Sequence, residues 1–356
     1  MSQPGRPWLR AVATAALLAL PAASSRAVEL RPGDLLVSDT NVDAIVHVDP
    51  STGARTHLTS PELGDGRPFN FPLEMALEPD GTLLVADLNN RSVIRVDLET
   101  GARRVVSSNR RGDGPPLKGP RGIEIDPSGR VLVSDTERNA FLWIDPASGD
   151  RVVFSGPRHG DGPDFRNVLG LEFLPGGEIL AIDSNRAALF RVELDGTRSI
   201  VSAKDRGIGE PFVDPFDLDV AGDGTVYVVD KRIPGVVRVD PETGDRVVVS
   251  STEVGEGPTF KVPFSIALES DGSAIVVDVR PATILRVDLR SGDRAVVSDA
   301  EIGSGPALIS PRRVIVVPGA ADAAGRKLGG FWVGAVAVAA GIGLAAWVVR
   351  RGPASA

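Results

Sequence analysis

The sequence predicts an all-β fold, a six-bladed β-propeller of four-stranded blades, and three observations carry that prediction. The segment Gly33-Asp-Leu-Leu-Val-Ser-Asp39 recurs from Gly81, Gly129, Gly177, Gly224 and Gly272, at spacings of 48, 48, 48, 47 and 48 residues. Each copy holds four short β-branched runs bounded by Gly, Pro, Asp and Asn, the content of one blade. Three such runs open the repeat region, at residues 34 to about 60, and one lone run, Arg313 to Val317, ends it. The two ends therefore complete one blade and close the ring. Closure removes the open sheet edges that invite aggregation, whereas a solenoid of these units would need polar caps that the sequence does not show.

Within a repeat, the strand ending in Asp leads to a second run, such as Val93-Ile-Arg-Val-Asp97 or Val236-Val-Arg-Val-Asp240. A turn such as Glu99-Thr-Gly101 and a third run such as Arg104-Val-Val-Ser107 follow. Next comes a Gly-x-Gly loop, beginning at Gly64, Gly112, Gly160, Gly207, Gly255 and Gly303. The fourth run opens with Pro72, Pro120, Pro215, Pro263 or Pro311, and with Val168 in the remaining copy. The repeated Asp39, Asp87, Asp135, Asp183, Asp230 and Asp278 read as turn-forming side chains that accept backbone N–H bonds. The glycine pairs suit positive-φ turns, and no helix or Lys-Ser/Thr follows them to make a phosphate cradle.

The composition agrees with short strands and many turns: 42% apolar, only 5% aromatic, with 40 Gly and 28 Pro among 356 residues. With no cysteine, disulfides, a lipid-modified cysteine, thiolate chemistry and cysteine-ligated zinc are all excluded. A net charge of -8 and a pI near 5.1 argue against general nucleic-acid binding, which draws on positive charge.

The two ends read as addresses. Residues 1–27 carry Arg6 and Arg10, an apolar run from Ala11 to Leu20, and small residues up to Ala27. That is a secretory signal peptide, with cleavage after Ala23 or Ala27, or else an uncleaved anchor. The propeller is expected over 30–318, followed by an Ala- and Gly-rich tether over 319–327. Residues 328–349 contain no charged residue and are long enough for one transmembrane helix, with Arg350 and Arg351 opening a cytoplasmic tail over 350–356. Gly329-Gly330, an apolar helix and an arginine pair also resemble the sorting tails that proteases remove from bacterial surface proteins. The expectation is an exported monomer at the cell envelope, on its periplasmic or surface side.

Pro120-Arg-Gly-Ile-Glu-Ile-Asp-Pro-Ser-Gly129, continuing into Val131-Leu-Val-Ser-Asp135, resembles the NHL-repeat propellers and more distantly the gluconolactonase and regucalcin-like propellers. The resemblance extends over residues 33–317. It implies that the strand after the proline is the innermost one of each blade. It implies no single function, because such propellers include enzymes, ligand binders and interaction platforms.

Counted from the proline or Val168, positions three and five of the inner strands are all apolar: Met75, Ile123, Leu171, Leu218, Ile266 and Val314, then Leu77, Ile125, Phe173, Val220, Leu268 and Val316. Alternation puts positions two and four on the other side. Position two reads Glu74, Gly122, Gly170, Asp217, Ser265 and Arg313; position four reads Ala76, Glu124, Glu172, Asp219, Ala267 and Ile315. Five carboxylates, Glu74, Glu124, Glu172, Asp217 and Asp219, so border the axial channel, and two readings stay open. They hold a hard divalent cation such as calcium, or they are solvated, with Glu74 paired to Arg313.

The gluconolactonase-like resemblance implies a metal held by a glutamate together with Asn and Asp in Pro-Asn-Gly or Pro-Asp-Gly motifs. Here Leu73, Arg121, Leu169, Phe216, Phe264 and Arg312 follow the proline, so only Glu74 matches. The three histidines, His47, His57 and His159, form no triad with a serine and a carboxylate, and His47 occupies a repeat position held elsewhere by Arg95, Arg191, Arg238 and Arg286. A basic rim is expected on one face. It comprises Arg91, Arg138, Arg186, Lys231, Arg232 and Arg280 after the repeated aspartates, joined by Arg110, Arg111, Arg158, Lys204 and Arg206 of the Gly-x-Gly loops. Such a rim suits a protein or anionic glycan. The function expected is a binding or scaffold module for a protein, glycan or small ligand, the alternative a metal-dependent lactonase or esterase.

Overall fold

The computed structural model describes residues 28–319. The signal peptide expected over 1–27 lies outside these residues, as do the membrane helix and tail expected beyond them. Among the described residues no helix is long and apolar enough to cross a membrane.

Among the described residues, twenty-four strands form six four-stranded antiparallel sheets. The first three are β1 (Leu35–Asp39), β2 (Ala44–Val48) and β3 (Arg55–Thr59). The second blade holds β4 to β7 (Pro72–Leu77, Leu83–Asp87, Ser92–Val96, Arg103–Ser108) and the third β8 to β11 (Pro120–Ile125, Val131–Asp135, Ala140–Ile144, Arg151–Ser155). The fourth holds β12 to β15 (Val168–Phe173, Ile179–Asp183, Ala188–Val192, Arg198–Ser202) and the fifth β16 to β19 (Pro215–Val220, Val226–Asp230, Gly235–Val239, Arg246–Ser250). The sixth holds β20 to β23 (Pro263–Leu268, Ser273–Val279, Ala282–Asp288, Arg294–Ser298), and β24 (Pro311–Val316) joins the sheet of β1 to β3 in the order β24-β1-β2-β3. The ring closes through this shared blade, where Leu35 pairs with Val316 and Asp39 with Pro311.

Apolar burial welds blade to blade. Met75 of β4, for example, is buried in one cluster with Leu36 and Ile45 of the closing blade and Val85 and Ile94 of its own. Five further clusters join the other neighbouring pairs in the same way. Position three of every inner strand, from Met75 to Val314, is at most 3% exposed.

The six repeated aspartates act as the sequence predicts, and they do more. Asp135 accepts from the N–H of Arg138 in its own turn and from those of Lys118 and Gly119, which lead into β8. Asp39 does the same across the closure, accepting from Asn41, Ile309 and Ser310. Each therefore ties the turn after it to the entry of its inner strand.

A second repeated device is an arginine opening each outermost strand: Arg55, Arg103, Arg151, Arg198, Arg246 and Arg294. All six are buried. Arg151 donates to Ser107 Oγ (2.7 Å) and to the carbonyls of Ser108, Arg111, Gly112 and Pro115, all on the preceding blade or the connection from it. The Gly-x-Gly loops lie against the same latch. Gly64 has φ +88°, and a Cβ there would meet Gly101 O at 1.9 Å, so only glycine permits the approach.

Candidate functional site

Residues one and two of the inner strands owe their aim to a bulge. Pairing with the second strand slips between Pro72 and Met75 in β4, between Pro120 and Ile123 in β8, and at the matching place in the other four. A bulge leaves residues outside the regular ladder and re-aims their side chains. Neighbouring inner strands also touch all the way round the ring, so the axis is narrow and long side chains meet across it.

Arg313, at position two after the proline of β24, fills it. Its Nε lies 3.1 Å from Glu74 Oε2 on β4, its Nη1 2.5 Å from Asp217 Oδ2 on β16, and its Nη2 3.8 Å from Glu124 Oε1 on β8. The Arg313–Glu74 pair expected from the sequence is present, and the same guanidinium serves two further carboxylates. Asp217 Oδ2 also accepts from Ile266 N (3.1 Å), and Asp219 accepts from Val220 N and Leu268 N (both 2.7 Å). The two aspartates of β16 thereby satisfy N–H groups on the inner edge of β20. At Gly170 a Cβ would stand 2.6 Å from Asp217 Oδ1, so glycine at position two of β12 makes room for that carboxylate.

One cation faces three carboxylates in a buried site, so the charges do not balance. Burial pushes the Glu74 carboxyl up to about 8, against the pull of Arg313 and with the push of Asp217 and Glu124. Burial opposes the charge of Arg313, yet the surrounding carboxylates hold its pKa well above the ordinary value.

The five carboxylates proposed as metal ligands do not converge as a ligand group. Among the described residues no set of three or more His, Cys, Asp or Glu is placed to hold a metal ion. The space between Glu74, Glu124 and Asp217 belongs to the Arg313 guanidinium, and Asp217 and Asp219 are turned to backbone N–H groups. A hard cation needs six or more oxygens around one point, and this geometry does not supply them.

Above Arg313 the bulged position-one residues form the channel mouth. Phe216 and Phe264 pack with ring centroids 3.7 Å apart, and both are buried with Leu169 and Val279. Beside them lies a cavity of about 10 Å³, lined by Glu74, Arg121, Gly122 and Gly170 among others, with room for about one water.

The basic residues expected at this end divide into two groups. Arg138 donates to Pro116 O (2.6 Å) and Arg186 to Asp164 O (2.7 Å), so both are tied to inner-strand entry loops. Lys231 pairs with Asp214 at 3.1 Å. Arg91, Arg232 and Arg280 are exposed. The Gly-x-Gly arginines do not join this rim. Gly112 packs on Gly149, in the turn at the end of β10 opposite the Asp135 turn, and Arg111 reaches Ala147 O there. The strong twist of four-stranded blades carries those loops round the outer edge.

His47 is buried, with Nε2 3.0 Å from Asp34 Oδ2. It replaces the repeat arginine, whose partner is Glu78 for Arg95 and Glu269 for Arg286. A larger open groove of about 770 Å³ lies between the fourth and fifth blades at the opposite end from the mouth, where Arg191 is paired with Glu242 at 3.0 Å. Its lining is mixed in charge, with Glu178, Asp223, Asp240, Glu242 and Asp245 beside Arg191 and Arg238.

No family model matches the chain, and no curated protein does. Solved structures do. A nidogen/laminin complex aligns with TM-score 0.61 and 16% identity, over 79% of this chain and 97% of the other. A Bacteroides caccae protein of unknown function aligns with TM-score 0.56 and 14% identity, over 80% and 98%. A protein of unknown function from Bacteroides thetaiotaomicron VPI-5482 aligns with TM-score 0.57 and 13% identity, over 76% and 68%. At these identities the likeness is one of fold.

Proposed function

We propose that this chain is an exported propeller of the NHL-repeat type, held at the cell envelope by residues 328–349. It works there as a binding or scaffold module at the end bearing the aspartate-capped turns. The observation that supports this reading is the Arg313 cluster. With a guanidinium filling the axis and a cavity of about 10 Å³ above it, the channel has no volume for a substrate beside its carboxylates. Recognition then falls to the end face, where turns on a rigid scaffold carry side chains outward. Arg91, Arg232 and Arg280 are exposed on those turns, and cations so placed attract an acidic protein or anionic glycan despite the negative net charge. The nidogen/laminin structure is an instance of this fold within a protein–protein complex.

The test is capture by the full-length chain in detergent, probed against envelope proteins and acidic glycans. Arg91→Gln, Arg232→Gln and Arg280→Gln together weaken capture if the reading is right. Undiminished capture, or metal-dependent hydrolysis of a lactone or ester that needs Glu74 and Asp217, contradicts it.

A further inference from the structure

Three cations share one aromatic platform at the channel mouth. The Arg121 guanidinium carbon lies 5.4 Å from the Phe216 ring centre, Lys231 Nζ lies 4.2 Å from Phe216 and 5.8 Å from Phe264, and the Arg312 carbon lies 4.5 Å from Phe264. Cations settle on ring faces by electrostatic attraction to the π quadrupole, but three over two touching rings also repel one another. Lys231 is neutralised by Asp214 at 3.1 Å. Arg121 and Arg312 have no ion pair among the described residues; Arg312 donates to Thr40 Oγ1 at 3.3 Å, and the ring contacts hold both in place. Both are half-buried. Burial lowers the pKa of each, with Glu74 pulling back in part at Arg121; at Arg312 the repulsion of Arg121 adds to burial, Asp39 pulls back in part, and Arg280 repels as well.

Two half-buried guanidinium groups with no carboxylate in contact, Glu74 and Asp39 acting on them only from a distance, leave positive charge at the mouth that an arriving anion can answer. The guanidinium fork matches an oxyanion with two parallel N–H donors. The cavity below admits about one water, so the ligand cannot enter the channel and meets the mouth with its end.

We propose that Arg121 and Arg312 form an oxyanion-binding site at the channel mouth, which takes a terminal carboxylate or phosphate presented end-on. This deepens the binding reading above and rests on it. The source of the oxyanion is a free small anion or the same group carried on an acidic peptide, and the probes separate these.

The experiment titrates the full-length chain in detergent with succinate, inorganic phosphate and a hexaglutamate peptide by calorimetry at low ionic strength. At least one binds, and Arg121→Gln and Arg312→Gln each weaken it by about tenfold or more, the worth of one charge-assisted contact. Arg104→Gln, on the exposed face of β7, leaves binding unchanged. Binding of succinate or phosphate names a free anion, and binding of the peptide alone names a protein ligand. Thermal melts check that each variant folds; if Arg312→Gln does not, Arg121→Gln alone carries the test. No binding of any probe, or binding that both variants retain, overturns the proposal. Capture through Arg91, Arg232 and Arg280 is a separate readout, so the oxyanion site can fail while the broader binding reading stands.

Discussion

Arg313 Nη1 lies 2.5 Å from Asp217 Oδ2, although the two side chains leave inner strands separated by a whole blade. The guanidinium crosses the axis of the ring to reach it. Glu74 and Glu124 stand on the far side of the same cation, so one residue of β24 binds blades on both sides of the closure. The interior charges thus act as a strut in the ring.

Removing the cation leaves three carboxylates facing one another in a buried site. Arg313→Leu is expected to destabilise the fold at pH 7.5 by about 3–5 kcal/mol, the cost of breaking a buried ion pair from one side. The loss shrinks at pH 5, where the carboxylates take up protons. Urea unfolding at the two pH values measures both.

Glu74 gives the pH dependence a definite sign. Its carboxyl is pushed up to about 8 from an ordinary 4.5 by burial, so the folded chain keeps a proton that the unfolded chain releases. Its stabilising contribution is whole below about pH 4.5 and falls as pH rises to about 8. Glu74→Gln is expected to remove that slope, matching the parent near pH 5 and exceeding it near pH 9. Unfolding midpoints across this range report the difference, and the rise at Asp87 to about 6 cancels because both proteins share it.

Arg151 tests the latch between blades. Its head group donates to Ser107 Oγ and to four carbonyls of the preceding blade and the connection from it, besides Gly149 O of its own, and a lysine ammonium cannot span that set. Arg151→Lys is expected to cost about 2–3 kcal/mol, from buried acceptors left without donors. A midpoint shift within error of zero would show that the latch is ornamental.

The architecture was readable because it repeats. The 48-residue period, the lone run at Arg313–Val317 and the turn aspartates all follow from local chemistry, and Asp39 to Asp278 hold their turns as expected. The ring of inner-strand residues was readable as well, since the resemblance named the innermost strand and alternation then put Glu74, Asp217 and Arg313 on one side of it. What that ring does was not. Nothing in the spacing says that Arg313 reaches three carboxylates rather than one, because that depends on the width of the axis and on Gly170 yielding space to Asp217. The mouth was missed for a related reason. Arg121, Phe216, Phe264 and Arg312 share a repeat position, but only the bulge after the proline turns them together. The rim was overextended because the path of the Gly-x-Gly loops depends on blade twist, which sequence periodicity does not carry. The six latch arginines were visible at constant spacing, and their repetition was the signal that could have found them.

The most direct measurement is a calcium titration of the full-length chain at pH 7.5, by calorimetry, beside Asp217→Asn. If Arg313 is the cation of the channel, no stoichiometric heat tied to Asp217 appears, and the two proteins behave alike. One calcium bound per chain, and lost in Asp217→Asn, would place a metal where the guanidinium stands and return the channel to catalysis.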